Sequence, residues 1–257
     1  MEKRKISPMY KIIRAIVKVV YPKIETVGEE NLPVGEAIIV GNHTQMNGPI
    51  SSEFYVPGEH YTWCAGQMME LKKVPKYAFE DFWSEKPRYI KWFYKIASYI
   101  IAPLSVLIFN NANTIAVHRD SKIVSTFKNT VTKLKKGAKV VIFPEHNEKY
   151  NNIIYNFQDR FIDVAKLYYK KTGKEIEFVP LYIAPTLRKM YFGRPIRFCA
   201  ENTIEEERKR ICEYLMSEIT KMARDLPRHI VIPYRNIPKK QYCYNISEER
   251  ENEKTCC

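Results

Sequence analysis

The chain has 257 residues, of which 45% are hydrophobic and 28% charged, and 42 Lys and Arg against 29 Asp and Glu give a net charge of +13. These proportions exclude a chain disordered throughout and allow one large domain, or one domain with an appendage, around an ample core. Only nine glycines are present, which excludes collagen-like and glycine-linker architectures, and the six cysteines (64, 199, 212, 243, 256 and 257) show no metal-ligand spacing. Reduced thiols in a cytosolic setting are the expectation.

In residues 1–23, seven basic residues face one acid. Met9, Ile12, Ile13, Ile16, Val17 and Val20 recur at helical spacing, with Lys11, Arg14 and Lys18 on the opposite side. Such a basic amphipathic helix either lies in a membrane interface or packs on the domain with its charged face in water. Charges interrupt every apolar run, so it is not a signal peptide. Residues 96–117 carry no charge, but the strongly apolar stretch from Ile96 to Phe109 is 14 residues long and contains Pro103. A membrane span needs about 20 residues, so a buried or interface-dipping helix is expected. Upstream, Trp83, Tyr89, Trp92, Phe93 and Tyr94 interleave with Lys86, Arg88, Lys91 and Lys95, a pattern suited equally to a headgroup layer and to an ordinary amphipathic helix.

The remainder alternates strand and helix. Residues 37–40 (AIIV), 114–117 (TIAV), 139–143 (KVVIF) and 178–183 (FVPLYI) are strand runs, and 191–198 is a candidate hairpin. Helices are expected over about 121–136, closed by Gly137, over 157–171 and over 203–224. This order predicts an α/β fold, a largely parallel sheet flanked by helices, preceded by the N-terminal amphipathic helix.

In open α/β sheets, sites gather at the carboxyl ends of strands. Three strands here run into polar clusters: AIIV into Gly41-Asn42-His43-Thr44-Gln45, TIAV into His118-Arg119-Asp120, and VVIF into Pro144-Glu145-His146-Asn147. The chain lacks a Gly-x-Ser-x-Gly elbow, a P-loop, a Rossmann glycine fingerprint and His-Glu-x-x-His. Its five histidines have no metal spacing, and no zinc-finger, RRM or basic-zipper pattern supports nucleic acid as a partner.

The stretch VGEENLPVGEAIIVGNH resembles the entry to the lysophospholipid acyltransferases, the family of 1-acylglycerol-3-phosphate O-acyltransferase, through Gly28, Asn31, Leu32, Pro33, Asn42 and His43. The resemblance continues in order through IAVHRD, matched by Arg119, VVIFPE, matched by Phe143, Pro144 and Glu145, and FVPLYI, matched by Pro180. It covers roughly residues 24–200. It implies an acyltransferase-like α/β domain over 24–240; the amphipathic pattern sets off 1–23 as a membrane-associating helix, and the polar end, 241–257, is expected to be a disordered tail.

Two departures stand out. The family's first block is His-x4-Asp, and here that position is Gly48, next to Asn47; the third block, Glu-Gly-Thr-Arg in the family, is Glu145-His146-Asn147-Glu148. In acyl transfer a histidine takes the acceptor hydroxyl's proton as that oxygen attacks a thioester, and a carboxylate normally orients the ring. Asn47 or Gln45, Glu53, and Glu145 or His146 are the candidate substitutes.

The resemblance thus implies transfer of a fatty acyl group from acyl-CoA or acyl carrier protein to a hydroxyl of a lysophospholipid or glycerol-phosphate-type acceptor. His43 and Glu145 are the expected catalytic residues. Asn42, Asn47, Arg119, Pro144, His146 and Arg160 are the expected substrate contacts, with Arg119 offering a phosphate-matched fork. No cofactor, metal or nucleic acid is expected. The expected location is peripheral, on the anionic cytoplasmic face of the cell membrane. The alternative is a non-catalytic lipid-binding or membrane-docking relative. The terminal Cys256-Cys257 pair fits a loose tail better than a lipidation site.

Overall fold

The computed structural model of the protein describes residues 6–84, 86–118 and 123–246. These form two compact units, one drawn from residues up to 22 together with 62–126, the other from 23–61 and from 127 onward. In chain order the elements are α1 (Pro8–Val20), β1 (Glu25–Val27), β2 (Ile38–Gly41), α2 (Asn47–Tyr55), β3 (His60–Ala65), α3 (Val74–Ala78), α4 (Lys91–Asn111), β4 (Thr114–Val117), α5 (Ile123–Leu134), β5 (Lys139–Ile142), β6 (Glu145–Lys149), β7 (Tyr155–Phe157), α6 (Asp163–Thr172), β8 (Glu177–Ala184), β9 (Lys189–Phe192), β10 (Ile196–Arg197) and α7 (Ile204–Asp225).

The second unit is built on a mixed, largely parallel sheet that runs β1-β9-β8-β2-β5. β2 is parallel to both of its neighbours, β8 and β5, and every residue in it is buried. A run of Ile and Val without polar alternation is what a strand covered on both faces requires. α7 starts at a capping box, in which Thr203 and Glu206 satisfy each other's backbone N–H groups, and it lays Ile211, Leu215, Ile219 and Ala223 against the core next to β8. Gly28 adopts φ 78°, and a Cβ there would meet the Phe192 carbonyl oxygen at 2.4 Å. Asn31 Nδ2 donates to that same oxygen at 2.8 Å. The Gly-x-x-Asn spacing is therefore a turn docked on β9.

Two elements differ from the sequence expectation. Residues 191–198 do not fold on themselves: β9 and β10 each pair antiparallel with β8, β9 along Leu181–Ala184 and β10 at Glu177 and Phe178. Pro180, which has no N–H to give, lies at the break, and its carbonyl accepts from Gly193 N at 2.8 Å. The helix expected from 157 begins instead at Asp163, after β7 and a 3-10 turn over Asp159–Ile162.

The first unit pairs β3 with β4 in parallel, Thr62 opposite Thr114 through Ala65 opposite Val117. Its α4 buries the small side chains Ser98, Ala102 and Ser105, with Met68, Val74, Ala78 and Ala102 forming the core cluster. Ile101, Val106 and Phe109 of α4 pack against that cluster, whereas Trp92, Phe93, Ile96, Tyr99, Ile100 and Leu104 are exposed. Of the two expectations for this segment, a buried or an interface-dipping helix, the exposure counts against the fully buried one. α4 runs unbroken through Pro103, and the helical stretch 88–111 is, by length and composition, long and apolar enough to cross a membrane. In α1, Tyr10 is buried, while Met9, Ile12, Ile16, Val19 and Val20 are exposed. Asn111 Oδ1, at the end of α4, accepts from Ser7 N at 2.8 Å, just before α1.

Candidate active site at the end of β2

β2 delivers Asn42 and His43 at its carboxyl end. Asn42 is buried, and both halves of its amide are engaged with one residue of β8: Ile183 N donates to Oδ1 at 2.7 Å, and Nδ2 donates to the Ile183 carbonyl at 3.0 Å. Asn42 thus ties two strands where the sequence reading placed a substrate contact. The His43 main-chain N–H donates to Glu145 Oε1 at 2.5 Å, and Tyr155 N donates to Glu145 Oε2 at 2.8 Å. Glu145, the first residue of β6, is buried, and its carboxyl bridges the end of β2 to β7. Burial pushes its pKa up to about 7, against the opposing pull of the two N–H donors. Its support for His43 therefore acts on the main chain and not on the ring.

A tight turn carries the chain from His43 into α2. Thr44 and Gln45 both hold left-handed backbone, φ 44° and 56°, which is costly for residues with side chains. Asn47 N and Asn47 Nδ2 both donate to the Thr44 carbonyl at 3.1 Å, and Gly48 N donates to the His43 carbonyl at 3.0 Å. A Cβ on Gly48 would lie 2.3 Å from that carbonyl oxygen and 3.2 Å from the Phe143 ring. The turn is thus closed to any side chain at residue 48, aspartate included.

The His43 ring makes edge contacts with two aromatics, Phe143 at 5.4 Å between centroids and Tyr234 at 5.7 Å. Nδ1 is buried and, among the described residues, has no hydrogen-bond partner. Burial pushes the imidazole pKa down to about 4, offset in part by the Gln45 main chain. The ring is accordingly neutral at physiological pH, and among the described residues no carboxylate is hydrogen-bonded to it.

Of the substitutes for the missing aspartate, Asn47 is turned to Thr44, and Gln45 Nε2 donates to the Arg235 carbonyl at 3.2 Å and to Tyr242 Oη at 3.0 Å. Pro144 contributes a carbonyl that accepts from Gln158 N at 2.9 Å. His146 is on the β6–β7 hairpin, where its Nδ1 accepts from Glu148 N at 3.3 Å and its Nε2 lies 3.9 Å from the Glu148 carboxylate. Arg160 is exposed in the turn before α6. Arg119 and Asp120 lie outside the described residues. Asn42, His43 and Glu145 are thus brought together. Tyr155, Tyr234 and Tyr242 join them without a sequence signal, because no periodicity marks residues 227–246. Among the described residues no group of three or more His, Cys, Asp or Glu could hold a metal ion.

No family model matches the chain, and no curated protein does. Among solved structures, the crystal structure of the 1-acyl-sn-glycerophosphate acyltransferase PlsC from Thermotoga maritima aligns with a TM-score of 0.45 at 16% identity, over 83% of this chain and 79% of that one.

Proposed function

We propose that the protein is a membrane-peripheral O-acyltransferase that moves a fatty acyl group from a thioester donor, acyl-CoA or acyl carrier protein, to a hydroxyl of a lysophospholipid or glycerol-phosphate-type acceptor. The observation that carries the reading is His43: a neutral imidazole at the carboxyl end of a buried parallel strand, its main chain fixed by Glu145. The four sequence blocks in family order supply the reaction class. Nε2 takes the acceptor's hydroxyl proton as the alkoxide oxygen attacks the thioester carbon. The tetrahedral oxyanion collapses, the carbon–sulfur bond breaks, and the departing thiolate takes the proton back from the imidazolium, leaving ester and thiol. Arg119 is the proposed phosphate anchor. The exposed apolar faces of α1 and α4, with Lys11, Lys18, Lys91 and Lys95 beside them, support docking on an anionic bilayer at the cytoplasmic face.

The unpartnered Nδ1 and the lowered proton affinity of His43 favour a second reading, a non-catalytic lipid-binding relative. The two separate on one experiment. The full chain is mixed with anionic vesicles, acyl-CoA or acyl carrier protein donors, and lysophosphatidic acid or glycerol 3-phosphate, and products are read by mass spectrometry. A new acyl ester with any pair supports the enzyme. Folded protein that retains lysolipid yet forms no ester with any pair supports the binding reading.

A further inference from the structure

After α7 the chain returns across the second unit as a strap, residues 227–246, that joins no sheet. Its base is a buried polar knot. His229 N donates to Asn245 Oδ1 at 2.8 Å, Asn245 N donates to the His229 carbonyl at 3.1 Å, and Asn245 Nδ2 donates to the Ala223 carbonyl at 2.7 Å near the end of α7. His229 Nε2 and the Tyr182 hydroxyl, from β8, are hydrogen-bonded at 2.8 Å. The two arms are held antiparallel by Val231 N donating to the Cys243 carbonyl at 2.8 Å and by a bridge between Ile230 and Tyr244. A segment this firmly tied at its base presents its tip, Tyr234 to Tyr242, at a fixed place.

That place is the turn after His43. Tyr234 sets its ring edge-on to the imidazole at an interplanar angle of 85° and also meets Tyr155 at 5.8 Å. Arg235 and Tyr242 hold the Gln45 amide from two points. Gln45 is one of the two consecutive left-handed residues that set the direction of the turn, a conformation that persists only where its surroundings over-determine it.

We propose that the strap is the positioning element of His43: Tyr234, with Phe143, grips the imidazole by its edges while Arg235 and Tyr242 lock Gln45 and hence the turn, a role that a carboxylate on residue 48 cannot take because no Cβ fits there. The proposal rests on the reading of His43 as the base. Tyr234 and Tyr242 are positioning residues, since they act through His43 and Gln45. The ionisable groups around the turn are Glu145 behind the main chain, Tyr155 and Tyr234 beside the ring, and Arg235 and Tyr242 on the strap.

The test reads the ring itself. The full chain is prepared with isotope-labelled histidine, and the His43 imidazole signal is assigned by its absence from His43→Ala and followed by NMR as pH is lowered. In the wild type the signal should be displaced by the neighbouring rings and should stay that of a neutral imidazole until about pH 4. Tyr234→Ala should remove the displacement and move the titration toward the ordinary histidine range, whereas Tyr234→Phe should keep both. Tyr242→Phe, which removes one acceptor from Gln45 and no packing volume, should shift the signal part of the way and lower kcat severalfold at constant KM. A His43 signal and titration identical in wild type and Tyr234→Ala overturn the proposal. Should that variant not fold, an unchanged signal in Tyr242→Phe overturns it. The spectra need no turnover, so a protein that transfers no acyl group sinks the acyltransferase reading while the strap is still judged on the ring.

Discussion

The two units of this protein differ in how many of their large apolar side chains they leave exposed. The sheet unit buries its largest ones, Phe178, Tyr182, Ile38, Ile39 and Leu181 among them. In the α1 and α4 unit a smaller cluster of Met68, Val74, Ala78 and Ala102 is inside, and Trp92, Phe93, Tyr99 and Ile100 of α4 face outward. Water penalises the second arrangement at about 25 cal/mol per Å² of apolar surface, and this exposed face is what the proposed bilayer docking would cover. One unit encloses its polar and apolar groups in a packed frame, and the other presents exposed apolar side chains along α1 and α4.

The largest effect should come from taking away the sheet unit's buried carboxylate. Glu145→Ala strands the N–H groups of His43 and Tyr155, each at about 1–3 kcal/mol. Urea unfolding should show the loss, and an unaltered midpoint would mean that the bridge between the end of β2 and β7 is not made. Gly48→Asp comes next, at about 1–3 kcal/mol from overpacking against the His43 carbonyl. Restored or improved acyl transfer in that variant would contradict the closed turn. The helical unit should respond differently. Ile16→Asp on the exposed face of α1 should lower affinity for anionic vesicles roughly 10- to 100-fold, because burying an isoleucine is worth about 1.5–3 kcal/mol, and should leave the thermal midpoint unchanged. A lowered midpoint with unchanged recovery would place that face inside the protein.

The smallest effect is a pH dependence that cancels in the wild type. His43 drops from 6.5 to about 4 on folding, so its unfolded form binds more protons between those values. Its contribution is complete above 6.5 and is lost as pH falls toward 4. Glu145 rises from 4.5 to about 7, so its contribution is complete below 4.5 and is lost as pH rises through 7. Between about 4.5 and 6.5 the two slopes oppose. Unfolding free energy in Glu145→Gln should therefore rise with pH across that window, and in His43→Gln it should fall. Parallel slopes in the two variants would show that the two groups are not shifted in opposite senses.

Much of the sheet was legible in the sequence because its central strands are uninterrupted apolar runs: residues 37–40, 139–143 and 178–183 fall on β2, β5 and β8. β3 (HYTWCA) was not, since its alternation buries the polar His60 and Thr62 instead of an apolar set, and the three residues of β1 are too few to show a period. His43 and Glu145 were legible as strand-end residues, but their relation was not. The sequence places a carboxylate near a histidine, whereas the fold gives that carboxylate to the histidine's main-chain N–H. Asn42 looked like a ligand contact through its neighbour, yet its amide is spent on Ile183. The strap escaped entirely, because its order comes from side-chain bonds of Asn245, His229 and Gln45 across long sequence separations, which no local pattern encodes.

The central claim is that His43 is the group that moves the proton. The direct measurement is kcat/KM of the full chain on anionic vesicles, with the donor and acceptor pair that yields product, for wild type and His43→Ala, with thermal unfolding recorded alongside. If His43 is the base, kcat/KM should fall roughly 10²–10⁴-fold at an unchanged fold. Equal rates in the two proteins would contradict it.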